Sequence, residues 1–166
     1  MNAIHGRARK VGDNINTDYI ITSTRKRETL DTSVLKQYLF ETLDPAFAAS
    51  VREGDLLVAG RNFGCGSAME IAATVILAAG IRAVLAESFS RTFFRNAINN
   101  GLVPVVCDTS RILEGHSLSI ALADGAFEVV DQATGEAMPG GRVGGLVLDI
   151  LDAGGLVPYF RRASSR

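Results

Sequence analysis

The run Gly64-Cys65-Gly66-Ser67-Ala68-Met69-Glu70 is where this sequence most readily seats chemistry. Glycines on both sides of Cys65 let the backbone turn sharply and let another molecule come close. The pattern predicts a helix that begins at Ser67. The loop then ends where free N–H groups and the helix dipole favour an anion. A serine hydroxyl in that setting lies among donors that stabilise its alkoxide, beside a natural carboxylate site. This points to a reactive Ser67 acting on an acidic substrate. The same letters also spell a capping box, Ser67-x-x-Glu70, in which Ser67 accepts from the Glu70 N–H and Glu70 closes back on Ser67. Both readings stand on local grounds. No serine–histidine–aspartate set is legible, because His5 and His116 lie in plain surroundings and read as surface or hydrogen-bonded residues. Cys65 shows no sequence sign of a lowered pKa and reads as structural.

The elements that must hold this loop alternate in type. Residues 56–59 read as a buried strand, 61–66 as the loop, and 67–79 as a helix stopped by Gly80. A strand over 82–86, a helix over 88–100 stopped by Gly101, and a strand over 103–107 follow. That order predicts parallel β-α-β units. Upstream, residues 4–11 read as a strand, 12–18 as a dense turn, and 19–21 as a short β piece. Arg25, Lys26 and Arg27 fall on a polar segment, 22–29, expected to be a mobile loop with no apolar anchor before Leu30. Residues 30–40 have helical spacing, and Asp44-Pro45 restarts a helix. Downstream, 117–123, 127–130 and 144–150 are β-type runs. Asp124-Gly125, Thr134-Gly135 and Pro139-Gly140-Gly141 separate them as turns. Residues 152–161 suggest a closing helix, and 162–166 a frayed tail. Arg91 and Arg95, four apart on the second helix, suit either an interface or plain surface charge. Phe89, Phe93 and Phe94 read as core. No repeat, linker or low-complexity tract interrupts residues 1–166, which read as one domain.

Composition narrows the chemistry. The chain has 166 residues, 47% hydrophobic and 21% charged, with a net charge of -1, which excludes a disordered protein. Near-neutral charge, 7% aromatics and no Trp argue against a nucleic-acid partner. The two cysteines, Cys65 and Cys107, form no Cys-x-x-Cys pair, so this chain alone is short of ligands for an iron–sulfur cluster or a structural zinc. Two lone cysteines suit a reducing cytoplasm. The amino terminus has no apolar stretch of a signal peptide, and no apolar run is long enough for a bilayer.

Several separated motifs carry a resemblance. They are Gly12-Asp13-Asn14-Ile15-Asn16-Thr17-Asp18-Tyr19-Ile20-Ile21, Asp44-Pro45-Ala46-Phe47, Gly54-Asp55 and Gly60-Arg61-Asn62-Phe63-Gly64-Cys65-Gly66-Ser67. Ala78-Ala79-Gly80-Ile81, the run from Ser88 to Leu102, and Ile150-Leu151-Asp152-Ala153-Gly154-Gly155-Leu156 complete the set. Together they span nearly the whole chain in order. The chain resembles the small subunit of 3-isopropylmalate dehydratase, the swivelling domain of the aconitase superfamily. The resemblance implies an α/β fold, a three-layer β/β/α domain. It implies a hydro-lyase of leucine biosynthesis that isomerises a small 2-hydroxy acid by dehydration and rehydration. It also implies a separate large subunit, in a heterodimer or heterotetramer, carrying a 4Fe–4S cluster on three cysteines, so that the metal lies in the partner. Ser67 matches the family serine that removes a proton from the carbon beside a carboxylate, and Gly66 and Ala68 fall in its substrate-binding motif.

Two departures mark this sequence. Where the family motif reads glycine-serine-serine-arginine-glutamate-histidine, this chain has Gly66-Ser67-Ala68-Met69-Glu70-Ile71. A thioether at position 69 cannot replace a bidentate guanidinium on a carboxylate. In the loop that selects the substrate side chain, this chain has Thr22-Ser23-Thr24-Arg25-Lys26-Arg27. Arg25 or Arg27 is then expected either to hold a substrate carboxylate or to be a solvated charge. The alternatives are a homoaconitate-like or methylmalate-like substrate, or a non-catalytic regulatory subunit on the same fold.

Overall fold

The computed structural model describes residues 1–164. Strand β1 (Ile4–Lys10) is the hinge of the architecture. On one edge it pairs in parallel with β2 (Leu56–Val58), placing Ala8 opposite Leu56. Strands β3 (Ala83–Ala86) and β4 (Val103–Val106) continue that parallel half. On its other edge β1 pairs antiparallel with β5 (Ser117–Ala123), followed by β6 (Ala126–Asp131) and β7 (Ala137–Arg142). The seven strands run in the order β4-β3-β2-β1-β5-β6-β7.

Period-two alternation sorts the parallel half into two faces. Leu57, Ala59, Val84 and Ala86 enter one core with Ile20, Phe40, Ala72, Ile76 and Phe93. Leu56, Val58, Ala83, Leu85 and Val105 enter a second core with Leu118, Ile120, Phe127, Val129 and Met138. Helices therefore cover one face of the parallel strands and the antiparallel strands cover the other, which is the expected three-layer β/β/α arrangement. Runs buried on both faces explain why these strands read as continuous apolar segments. Pro104 sits in β4 at the sheet edge, where a missing N–H costs no ladder bond.

The helices depart from the sequence expectations in instructive places. Residues 19–21 fold as the end of a one-turn helix, α1 (Thr17–Ile20), because the Asn16 side chain caps it and Ile20 and Ile21 are fully buried. The segment expected as a mobile loop is α2 (Ser23–Glu28), capped by Thr22. Residues 30–40 form only α3 (Thr32–Leu35) and a 3₁₀ turn over Lys36–Tyr38, and α4 (Phe47–Ser50) follows the Asp44-Pro45 turn. Helix α5 (Glu70–Ala78) starts three residues later than Ser67, and α6 (Arg91–Asn100) is capped by Ser90 and stopped by Gly101 at φ 83°. Residues 144–150, read as a strand, belong to α7 (Gly145–Ala153). The strand is instead the Pro-Gly-Gly stretch in β7, an edge position where proline is tolerated and where a Cβ on Gly140 would lie 2.7 Å from Phe127 Cβ. Gly154 and Gly155, at φ 89° and 122°, break the closing helix into α7 and α8 (Leu156–Ser164). Residues 162–164, assigned to a frayed tail, are helical; residues 165–166 lie outside the described residues.

Candidate active site

The loops that leave the carboxyl ends of three neighbouring parallel strands join above the sheet. The Gly64 N–H donates to the Ile15 carbonyl, and the Thr17 N–H donates to the Cys65 carbonyl, each at 2.8 Å. This stitches the loop after β2 to the one after β1. The Phe63 N–H reaches the Ser88 carbonyl, and Ser90 Oγ donates to the Gly64 carbonyl at 2.7 Å, which ties in the loop after β3. Phe63 is the buried anchor beneath, with its ring 5.0 Å from that of Phe93. Open α/β sheets place ligands on this side, beyond the strand carboxyl ends.

Gly64 and Gly66 are required by this stitching. Both have positive φ, 78° and 90°. A Cβ on Gly64 would fall 2.3 Å from the Phe93 side chain, and one on Gly66 would fall 2.5 Å from Asn16 Oδ1. The loop thus delivers Ser67 to the surface in a fixed position. Thr17 Oγ1 donates to the Ser67 carbonyl at 2.9 Å. The Ser67 side chain is exposed, and its hydroxyl has no hydrogen-bond partner among the described residues.

The capping-box reading fails here. Met69, not Ser67, is the N-cap of α5, and no side chain caps that helix. Ser67 stands two residues outside it, with Glu70 as the first helical residue. Both Gly66 and Ala68 flank the hydroxyl on the exposed face.

The three cations of α2 part company. Arg25 donates through Nε and Nη2 to the two oxygens of Glu41, at 3.0 and 3.1 Å. Its guanidinium also lies 3.8 Å over the Tyr38 ring. Its hydrogen bonds to Glu41 raise its pKa further. Arg25 thus fastens α2 to the turn beneath it. Arg27 is exposed and has no partner among the described residues. Lys26 is the one that turns inward. Its side chain is 12% exposed, and its ammonium contacts the Met69 sulfur and lies 3.7 Å from Asp18 Oδ1. Asp18 accepts from the Ser23 hydroxyl and N–H at 2.6 and 2.8 Å. Those bonds, led by the hydroxyl and joined by Lys26, hold its carboxyl below the ordinary range against the opposing effect of burial. The sequence shows the cation run but not that Lys26 is its inward member. With 100° between successive helical residues, only one of three neighbours faces the loop, and the helix itself was not foreseen.

Other reactive groups lie elsewhere or are silent. His116 Nδ1 is 2.6 Å from Asp131 Oδ2, a hydrogen-bonded histidine as expected. Cys107 is buried, which pushes its thiol up to about 12. Phe93 is core, but Phe89 and Phe94 are half-buried and line a groove with Arg91 and Arg95. Among the described residues, no three His, Cys, Asp or Glu side chains come together in a way that could hold a metal ion. No helix of the described residues is long and apolar enough to cross a membrane.

Comparison with known proteins bears on the fold and the family. The Aconitase C-terminal domain family model matches residues 2–110. The isopropylmalate/citramalate isomerase small subunit of Methanocaldococcus jannaschii is 40% identical over 161 residues, covering 96% of this chain and 94% of that one. The homoaconitase small subunit of the same organism is 42% identical over 159 residues, covering 96% and 92%. The 3-isopropylmalate dehydratase small subunit 1 of Methanopyrus kandleri is 42% identical, covering 98% and 95%. A crystal structure of 3-isopropylmalate dehydratase from Methanocaldococcus jannaschii superposes with a TM-score of 0.92 at 41% identity, covering 98% of this chain and 96% of that one.

Proposed function

This chain belongs to the aconitase C-terminal domain family, and we propose that it is the small subunit of an aconitase-type hydro-lyase that acts with a large subunit on a 2-hydroxy dicarboxylate or tricarboxylate. The observation that carries the reading is the exposed Ser67 hydroxyl, without a hydrogen-bond partner among the described residues and held by a loop built to present it. Small subunits of similar sequence are named for isopropylmalate, citramalate and homoaconitate chemistry. 3-Isopropylmalate is the first substrate to test, which would place the enzyme in leucine biosynthesis and the cytoplasm.

Ser67, as alkoxide, takes the proton from the carbon beside a substrate carboxylate. The hydroxyl on the neighbouring carbon leaves as water, taking its proton from an acid supplied on the large-subunit side of the site. Water then adds its hydroxyl to the carbon that lost the proton and returns its other proton to that acid, while Ser67 gives the proton it took to the carbon that lost the hydroxyl. The backbone does the positioning: Thr17 fixes the Ser67 carbonyl, and Gly66 takes a φ closed to side chains. A positioned base of this kind contributes about 10²–10⁴-fold in rate. The residues here do not fit an iron–sulfur cluster, whose Lewis acidity belongs to the large-subunit side of the proposal. An exposed catalytic hydroxyl also needs a covering surface to exclude water, the second reason to assign a partner over this face.

The test is reconstitution. The chain is mixed with a cluster-loaded large subunit and assayed on isopropylmalate, citramalate and homocitrate. Turnover of one acid that needs both chains is the expected result. A stable complex inert on all three overturns the reading in favour of a non-catalytic subunit.

A further inference from the structure

We propose that Lys26 is the residue of this chain that binds the substrate carboxylate, its charge delivered to the Ser67 loop from α2 instead of from position 69 of the loop. The inference rests on the hydro-lyase reading above.

The Lys26 ammonium has three donors, and its side chain is only 12% exposed. Its partners are poor. One is the thioether of Met69, a weak acceptor. The other is Asp18, at 3.7 Å, beyond a normal hydrogen bond, with one carboxylate oxygen already taking two bonds from Ser23. A compact, strongly hydrated cation is costly to hold in this state. A carboxylate arriving at the loop would complete it.

The placement is specific. Met69 is two residues from Ser67, and Lys26 lies against it. The segment 67–69 is thus gripped at one end by Thr17 on the Ser67 carbonyl and at the other by Lys26 on the Met69 sulfur. A cation at position 69 would meet the ammonium at contact distance, where like charges repel. A neutral, flexible thioether lets Lys26 approach and yields when a better acceptor comes. Arg25 serves this arrangement from outside the site, because its bond to Glu41 fixes the helix that carries Lys26.

The test has two arms. In the reconstituted complex, Lys26→Gln should raise KM for the turned-over acid about 10- to 100-fold, the range expected for a charged hydrogen bond, with a smaller change in kcat. Lys26→Arg should recover most of the loss. Met69→Arg alone should impair, and Lys26→Gln combined with Met69→Arg should be better than Lys26→Gln. An unchanged KM in Lys26→Gln overturns the proposal, as does a fall in kcat alone. The second arm needs no turnover. The chain has three methionines, so ¹³C-methyl labelling gives Met69 a resolved reporter both in the free chain and in the complex. Malate should shift the Met69 methyl saturably in at least one of them, and Lys26→Gln should abolish the shift. Acetate and inorganic phosphate should act much more weakly. No saturable malate shift in either sample, or an equal response to phosphate, overturns the assignment. A saturable shift in a complex inert on every acid would sustain Lys26 while refuting the hydro-lyase reading.

Discussion

Replacing Gly66 by alanine tests the loop that presents Ser67. At φ 90° an alanine sits in the left-handed region, which costs about 1–2 kcal/mol for a residue with a Cβ. The new methyl would also fall 2.5 Å from Asn16 Oδ1. That oxygen accepts from the Asp18 N–H at 2.9 Å and caps α1, so Asn16 must swing away and the cap is lost, about 1 kcal/mol more. The smaller entropy of the unfolded chain with alanine returns about 0.5 kcal/mol. The net loss is about 2 kcal/mol, or about 4–8 °C in Tm for a chain of this size. Urea denaturation of the full chain measures it. The informative companion is Asn16→Ala, which removes the cap and the obstacle together. Gly66→Ala in that background should cost only the backbone strain, giving a coupling of about 1 kcal/mol between the two sites. A loss below about 0.5 kcal/mol for Gly66→Ala, or full additivity with Asn16→Ala, would refute the reasoning.

Three further outcomes follow from the ion pairs and thiols. Arg7 and Arg9 lie 2.7 and 3.5 Å from the buried carboxylate of Asp55. Burial alone would raise that carboxyl, but the bonds from Arg7 and the Arg52 N–H outweigh it and leave the pKa lowered. The stability it contributes is therefore present above the ordinary carboxylate pKa of about 3.9 and is lost as pH falls through the lower folded value. Asp55→Asn should cost about 3 kcal/mol at pH 7 by leaving Arg7 without its carboxylate and Arg9 with Glu114 alone, and should lose less than the parent chain on acid titration followed by circular dichroism. Arg25→Ala should raise amide exchange across α2 and leave α5 unchanged by hydrogen-exchange mass spectrometry, since only α2 depends on the Glu41 contact. Cys107, with its thiol pushed up to about 12 and nearly no exposure, should resist a thiol reagent at pH 8 until the chain is unfolded in urea.

The strands of the parallel half were legible because burial on both faces leaves an unbroken apolar signature, as in Leu56-Leu57-Val58-Ala59. Gly80 and Gly101 marked their helix ends because αL caps favour glycine. The short helices were hidden. Tyr19-Ile20-Ile21 has strand propensity, yet the Asn16 cap and the burial of both isoleucines decide a helical turn. Ser23–Glu28 carries no apolar stripe, and its anchor is the long-range bond from Arg25 to Glu41, which no local pattern shows. Pro139-Gly140-Gly141 reads as a loop, but an edge register and the crowding of Phe127 make it a strand. At the site, Ser67 and its glycines were visible as a motif. Their stitching to Ile15, Thr17 and Ser90, and the turn of Lys26 toward Met69, are tertiary facts. The capping box was a false signal because Thr17 holds the Ser67 carbonyl in the loop, and the helix begins only after Met69.

The central claim is that Ser67 serves chemistry and not the helix. Ser67→Ala separates the two most directly when kcat of the reconstituted complex and stability of the full chain are measured on the same preparation. The account predicts a fall in kcat of about 10²–10⁴-fold with stability unchanged to within about 0.5 kcal/mol. A variant that keeps its kcat while losing about 1 kcal/mol of stability, the worth of a cap, would contradict it.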